Sequence, residues 1–210
     1  MIRLLLMLFL FGSLYSNINQ DLLDSMLDDY SWKFLDKKKG FSIYEKEYLD
    51  NKIYMVKKEV YIEKEKIFSV VSDLGNYSNV LTSRNVINDY LGVVNKKKYG
   101  YQQFTNFIPF IKNRQIIFEM SLNDENIISW VLLDGSHPLF EKYNKDKVKT
   151  LSFGAGLWQY AEENNRSYII HKFFIDPKLS VPKFIISNAA QNNVIQVVED
   201  VLNYAKGEGN

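Results

Sequence analysis

The chain has 210 residues, of which 46% are apolar and 15% aromatic, enough for one domain with one substantial core and too apolar for a disordered polymer. Lys and Arg number 26 against 25 Asp and Glu, a net charge of +1, which leaves no basic excess for nucleic acid and no acidic tail. With no Cys, disulfides, thiolate metal sites and a cysteine nucleophile are excluded. Only four of the 26 basic residues are Arg, and Asn is abundant. This bias removes weight from isolated Lys and Asn runs.

At the N-terminus, Arg3 precedes the apolar run Leu4–Phe11 and then Gly12-Ser13-Leu14-Tyr15-Ser16. A short positive start, an apolar stretch and small residues have the layout of a secretory signal peptide. The stretch is shorter than the roughly 20 residues of a membrane-spanning helix. Cleavage is expected after Ser16, so 1–16 is the signal peptide and 17–210 a single domain, secreted or periplasmic. An uncleaved anchor, with the protein membrane-associated, is the alternative.

Residues 20–36 read as an amphipathic helix, with Leu22, Leu23, Met26, Leu27, Tyr30 and Phe34 three or four apart and Asp21, Asp24, Asp28 and Asp29 on a solvated face. Lys37-Lys38-Lys39-Gly40 would close it with cations and a glycine cap. Phe41–Tyr44 and Lys52–Ile62 alternate as strands. Glu63–Leu74 returns to helical spacing through Ile67, Val70, Val71 and Leu74, and Gly75–Leu81 is a loop or a short second helix. Six strands are then predicted: Val86–Val94, Lys98–Phe107, Arg114–Leu122, Ile127–Leu133, Lys149–Ala161 and Arg166–Ile175. Asn-rich turns separate several of them, which suggests an antiparallel meander. Val181-Pro182 opens a long helix with Phe184, Ile185, Asn188, Gln191, Ile195, Val198, Leu202 and Ala205 along one side. One helix laid across a curved sheet cannot fill the enclosed volume, so a cavity is expected between them.

In this order the motifs resemble the START family of lipid-transfer domains within the helix-grip superfamily. Trp32 followed by Gly40-Phe41-Ser42-Ile43-Tyr44 is similar to its Trp…Gly-x-x-Val-Tyr opening. Ile67–Asp73 followed by Tyr77 is similar to its helix ending in Leu-x-Asp with a following aromatic. Pro109 and Arg114 match its Pro-Trp-Pro…Asp-Arg-Asp stretch, with Asn113 and Gln115 replacing the two Asp. Gly156-Leu157-Trp158, Asp176-Pro177 and Val181-Pro182-Lys183-Phe184-Ile185-Ile186-Ser187-Asn188 resemble Gly-x-Trp…Asp-Pro…Ile-Pro-x-Trp-Leu-x-Asn. The resemblance spans about residues 28–206. It implies an α+β helix-grip fold, a curved antiparallel sheet wrapped around a long C-terminal helix, with a lipid-sized tunnel between them.

The candidate ligand-binding residues are Arg114, Phe118, Trp130, Trp158, His171, Phe184, Ile185 and Asn188. Arg114 opens a strand and could hold an anionic head group, or could staple the strand to a loop. His171 shares a strand face with Ile169 and Phe173 and is either a core residue or the polar hook for a ligand hydroxyl. Trp130 and Trp158 are core or cavity wall. His137, before Pro138, is assigned to a loop. Its spacing to His171 forms no metal motif, so no metal and no cofactor are expected. Gly154-Ala155-Gly156 is no nucleotide fingerprint and reads as a strand bulge. The apolar segment Phe107–Ile111 packs under the last helix or dips into a bilayer, and Lys96-Lys97-Lys98 is a solvated hairpin tip or a contact for anionic lipid heads. The expected function is binding, and transfer, of a lipid or other hydrophobic molecule. The protein would be a monomer making transient membrane contact, without nucleic acid and without catalysis. A superfamily enzyme of cyclase or hydrolase type and a filled interaction module are the alternatives.

Overall fold

The structure is a computed structural model that describes residues 18–82, 85–105, 113–144, 148–179 and 183–208, with side chains from 191 onward in the last segment. The predicted signal peptide, the segment 106–112 and the side chains of Phe184, Ile185 and Asn188 lie outside the described residues.

Ten strands form one open sheet: β1 (Lys33–Lys38), β2 (Phe41–Tyr48), β3 (Asn51–Val60), β4 (Val86–Val94), β5 (Lys97–Phe104), β6 (Arg114–Asp124), β7 (Ile127–Leu132), β8 (Lys149–Leu151), β9 (Gly154–Glu163) and β10 (Arg166–Ile175). They lie in the order β1-β2-β3-β10-β9-β7-β6-β5-β4, antiparallel throughout, and β8 adds parallel to β6. The chain thus lays a three-strand meander, crosses to the opposite edge at β4 and returns until β10 closes against β3. The helices are α1 (Ile18–Leu27), α2 (Lys64–Ser72), α3 (Tyr77–Val80), α4 (Pro138–Tyr143) and α5 (Lys183–Ala205).

Alternation along the strands gives the curved sheet two buried faces. On the inner face Ile43, Val56, Ile128 and Ile169 meet Ile67 and Val71 of α2, Tyr77 and Val80 of α3, and Val194, Ile195, Val198 and Leu202 of α5. On the outer face α1 packs Leu22, Leu23 and Met26 over Ile53, Ala155, Leu157 and Phe174. Beside it α4 brings Leu139, Phe140 and Tyr143 onto Tyr99, Tyr101, Ile117 and Leu133.

Polar side chains fix the helices where their backbone ends need partners. Asn19 is 1% exposed; its Nδ2 donates to Leu132 O (2.8 Å) and Ser152 O (2.9 Å), and its Oδ1 accepts from Gly154 N (2.9 Å). The last carbonyls of α1 receive two buried cations. Lys172 Nζ donates to Met26 O (2.9 Å) and to Asp29 Oδ1 (2.6 Å), and Lys46 Nζ donates to Ser25 O (2.7 Å). A buried ammonium is tolerated there because carbonyl dipoles and a carboxylate replace its hydration. The later turns of α5 are tied down by Asp200, which accepts from Thr82 N (2.9 Å) and Oγ1 (3.0 Å), and by Tyr204, whose hydroxyl accepts from Asn76 (2.8 Å).

Five expectations are corrected. The helix predicted over 20–36 ends at Leu27: Tyr30 N–H donates to Asp28 Oδ1 and Ser31 takes φ +67°, which turns the chain into edge strand β1. Lys39 (φ +51°) and Gly40 (φ +78°) are then the β1–β2 turn and not a helix cap. The strand predicted over Lys149–Ala161 is two, β8 and β9, and β8 supplies the parallel pairing in an otherwise antiparallel sheet. His137 does not sit in a plain loop but accepts from Leu139 N (3.2 Å) and caps α4. The glycines at 154 and 156 make no bulge, since the β9–β10 register runs unbroken through both and the β7–β9 register through Gly156. Among the described residues no helix is long and apolar enough to cross a membrane.

Candidate functional site

Register places five of the predicted residues on the inner face. Phe118 lies opposite Leu132, Trp130 opposite both Met120 and Gly156, Trp158 opposite Ile128 and His171, and His171 opposite Val56. Arg114 stands at the start of β6 on the same side, two pairs of residues beyond Phe118.

The inner face has a filled half and an open half. Toward the turn at Asn164-Asn165, Val60, Ile67, Ile128 and Ile169 are all within 5% exposure, sealed by α2, α3 and the later turns of α5. Toward the opposite end, Phe104, Trp130, Phe173 and Ile175 belong to the same inward cluster yet stay partly accessible. These four inward residues are not fully covered, nor are Ile62 and Tyr160 at the other end, and the four lie at the end of the face that the described side chains of α5 do not cover.

Two aromatics on this face are laid flat by glycines. A Cβ on Gly156 would stand 2.6 Å from the Trp130 ring, and a Cβ on Gly100 would run into the Phe118 ring. Each ring therefore occupies the place of the missing side chain on the neighbouring strand. The two rings meet edge-on with centroids 6.4 Å apart. Large aromatic area thus lines the wall without projecting into the space in front of it.

His171 sits at the boundary of the two halves, between Ile169 (1% exposed) and the partly accessible Phe173, and is itself 6% exposed. Its ring stacks on Trp158 at 4.1 Å and lies nearly parallel to that of Phe173 at 5.7 Å. Nδ1 is 2.8 Å from Leu157 O. Burial pushes its pKa down to about 4, although the carbonyl partner acts in the opposite direction, so the ring is neutral at pH 7. Trp158 is 3% exposed and forms floor rather than open wall. Arg114 Nε donates to Pro177 O (3.3 Å), so the guanidinium straps the start of β6 to the segment after β10, and burial lowers its pKa.

The remaining candidates fall elsewhere. His137 stacks on Tyr99 (5.5 Å) on the outer face, away from His171. Among the described residues no group of three His, Asp or Glu side chains could hold a metal. Lys97 pairs with Glu119 and Lys98 donates to Ser72 O. Asn192 and Asn193 on α5 are exposed. A cleft of about 90 Å3 on the outer face, lined by Gln20, Lys97, Glu119, Ser121 and Asn123 among others, is too small for a lipid-sized ligand. Sequence patterning missed the roles of Gly100 and Phe104. Their signal, inward parity on β5, is legible only once the cross-strand partners are known.

A long C-terminal helix gripped by a curved, open antiparallel sheet is the START-type helix-grip fold. The STAR-related lipid transfer protein (fragment 25–204) of Xanthomonas axonopodis superposes with a TM-score of 0.67 at 11% identity, over 84% of this chain and 99% of that one. Human StAR-related lipid transfer protein 5 gives 0.67 at 13% identity, over 90% of this chain and 93% of that one. Human STARD10 gives 0.65 at 15% identity, over 90% and 80%. At these identities the likeness is one of fold. No family model and no curated protein matches the sequence.

Proposed function

We propose that the protein binds a lipid or another lipid-sized hydrophobic molecule between the inner face of its sheet and α5, and carries it through water. The observation that carries this is the open half of the inner face, where Phe104, Trp130, Phe173 and Ile175 point inward and remain accessible. Phe118 and Trp130, flattened over Gly100 and Gly156, form its wall, and Trp158 and His171 its floor. The names of the structurally similar proteins, STAR-related lipid transfer proteins, support the same function. Burying an acyl chain contributes roughly 0.8 kcal/mol per methylene before ordering costs. Binding of this kind requires no bond to be made or broken, and in this proposal the protein acts as a carrier. The apolar segment after Arg3 exports it, and it acts as a secreted or periplasmic monomer that touches membranes transiently.

The test is to purify the protein under native conditions, extract it with organic solvent and identify what is released by mass spectrometry. One lipid class at near-equimolar amount is expected. An empty protein that also takes up none of a panel of fatty acids, phospholipids, glycerides and sterols would refute the function.

A further inference from the structure

The geometry points to His171 as a hydrogen-bond acceptor that selects neutral lipids carrying a free hydroxyl and seats that hydroxyl at the floor of the site, tail toward the open half. This rests on the carrier function proposed above and specifies its ligand class.

The carbonyl of Leu157 can only accept, so the contact at 2.8 Å puts the imidazole proton on Nδ1. Nε2 then bears a lone pair. The two ring nitrogens point nearly opposite ways. With Nδ1 turned to the backbone of β9, Nε2 points away from that strand. Among the described residues Nε2 has no hydrogen-bond partner, and no fully buried side-chain nitrogen or oxygen among them lacks one. Nε2 therefore borders open volume and is not sealed in the core.

The surroundings decide what that lone pair accepts. Trp158 and Phe173 flank the ring, and Val56 and Ile169 lie beside it. A carboxylate or phosphate there would bring its own lone pairs against Nε2, and among the described residues no cation stands beside that nitrogen to offset them. Arg114, the guanidinium on this side of the sheet, is held by Pro177 O at the far end. An ester or ketone has no proton to donate. A hydroxyl satisfies Nε2 and leaves the acyl or ring system to the aromatic wall. The order of depth follows from the strand: Ile169 is packed, His171 is next, and Phe173 and Ile175 face free space. The polar end thus goes in first.

The experiment compares 1-hexadecanol, its methyl ether and hexadecanoate as competitors against an environment-sensitive apolar dye bound to the delipidated protein. The unaltered protein should bind the alcohol roughly tenfold more tightly than the ether, the net value of one hydrogen bond in a buried site. His171→Phe, which keeps the stacking surface, should bind alcohol and ether alike at the ether's affinity. In parallel, nitrogen-15 spectra of the unaltered protein, which has only two His, should show the His171 Nε2 resonance moving on addition of alcohol and not of ether. That readout stands even where the variant fails to fold. Equal affinities for alcohol and ether in the unaltered protein, a preference that survives in His171→Phe, an unmoved Nε2 resonance, or tighter binding of hexadecanoate would each overturn the hook while leaving the carrier intact. Binding of none of the three probes, nor of a sterol, would overturn the carrier itself.

Discussion

Gly156 and Gly100 both sit beneath an aromatic ring, yet alanine at the two sites should act on different properties. At Gly156 the new Cβ would lie 2.6 and 2.7 Å from two Trp130 ring atoms and 2.7 Å from Lys172 O. Ordinary contact is nearer 3.5–4.0 Å, so about 1 Å must be recovered. The ring could swing, but the carbonyl cannot. Lys172 lies within a continuous β9–β10 ladder, and its side chain is fixed to Met26 O and Asp29. Overpacking of this kind costs about 1–3 kcal/mol, offset by about 0.5–1 kcal/mol from the lower chain entropy of Ala. The net loss of about 1–2 kcal/mol should lower the melting temperature by roughly 3–8 °C. At Gly100 all the crowded atoms are the far end of the Phe118 ring, which can turn into the open half. Stability should therefore hold within about 0.5 kcal/mol, and the space left for a ligand should shrink. Calorimetric melting combined with dye titration separates the two. Equal melting temperatures for both variants, or Gly100→Ala with undiminished ligand capacity, would refute the account of rings laid flat to keep the site open.

Two further outcomes follow from polar groups inside the fold. His171 is neutral when folded, with a pKa of about 4 against 6.5 unfolded, so its contribution to stability is complete above about pH 6.5 and is lost as pH falls toward 4. The loss approaches about 3 kcal/mol. Urea unfolding between pH 7 and 4.5 should show a steeper decline for the unaltered protein than for His171→Phe, and parallel declines would contradict it. Asn19→Ala should cost about 2–4 kcal/mol, because the change leaves Leu132 O, Ser152 O and Gly154 N without partners. Hydrogen exchange in α1 and the start of β9 should accelerate first, and unchanged protection there would count against the anchor.

The sequence by itself determined most of the strands, α2, the long last helix and the order of motifs that resembles START domains, because alternation and helical spacing are local and survive without knowledge of neighbours; β1 and the division of β8 from β9 escaped it. It also placed Phe118, Trp130, Trp158 and His171 on inward faces for the same reason. Helical spacing over 20–36 misled, since Tyr30 and Phe34 continue the period although Ser31 takes a left-handed turn. Phe34 then packs edge-on against Tyr44 at 5.7 Å in a strand whose residues are all exposed. Edge strands show no burial alternation, so only the pairing with β2 identifies β1. The short α4 likewise exists through Leu139 and Phe140 packing over Ile117, residues some twenty positions away. The site itself was decided by the tertiary structure. That Gly156 lies under Trp130, that Arg114 reaches Pro177, and that His171 stacks on Trp158 are all facts of long-range register, and no local period encodes which strand comes to lie beside which.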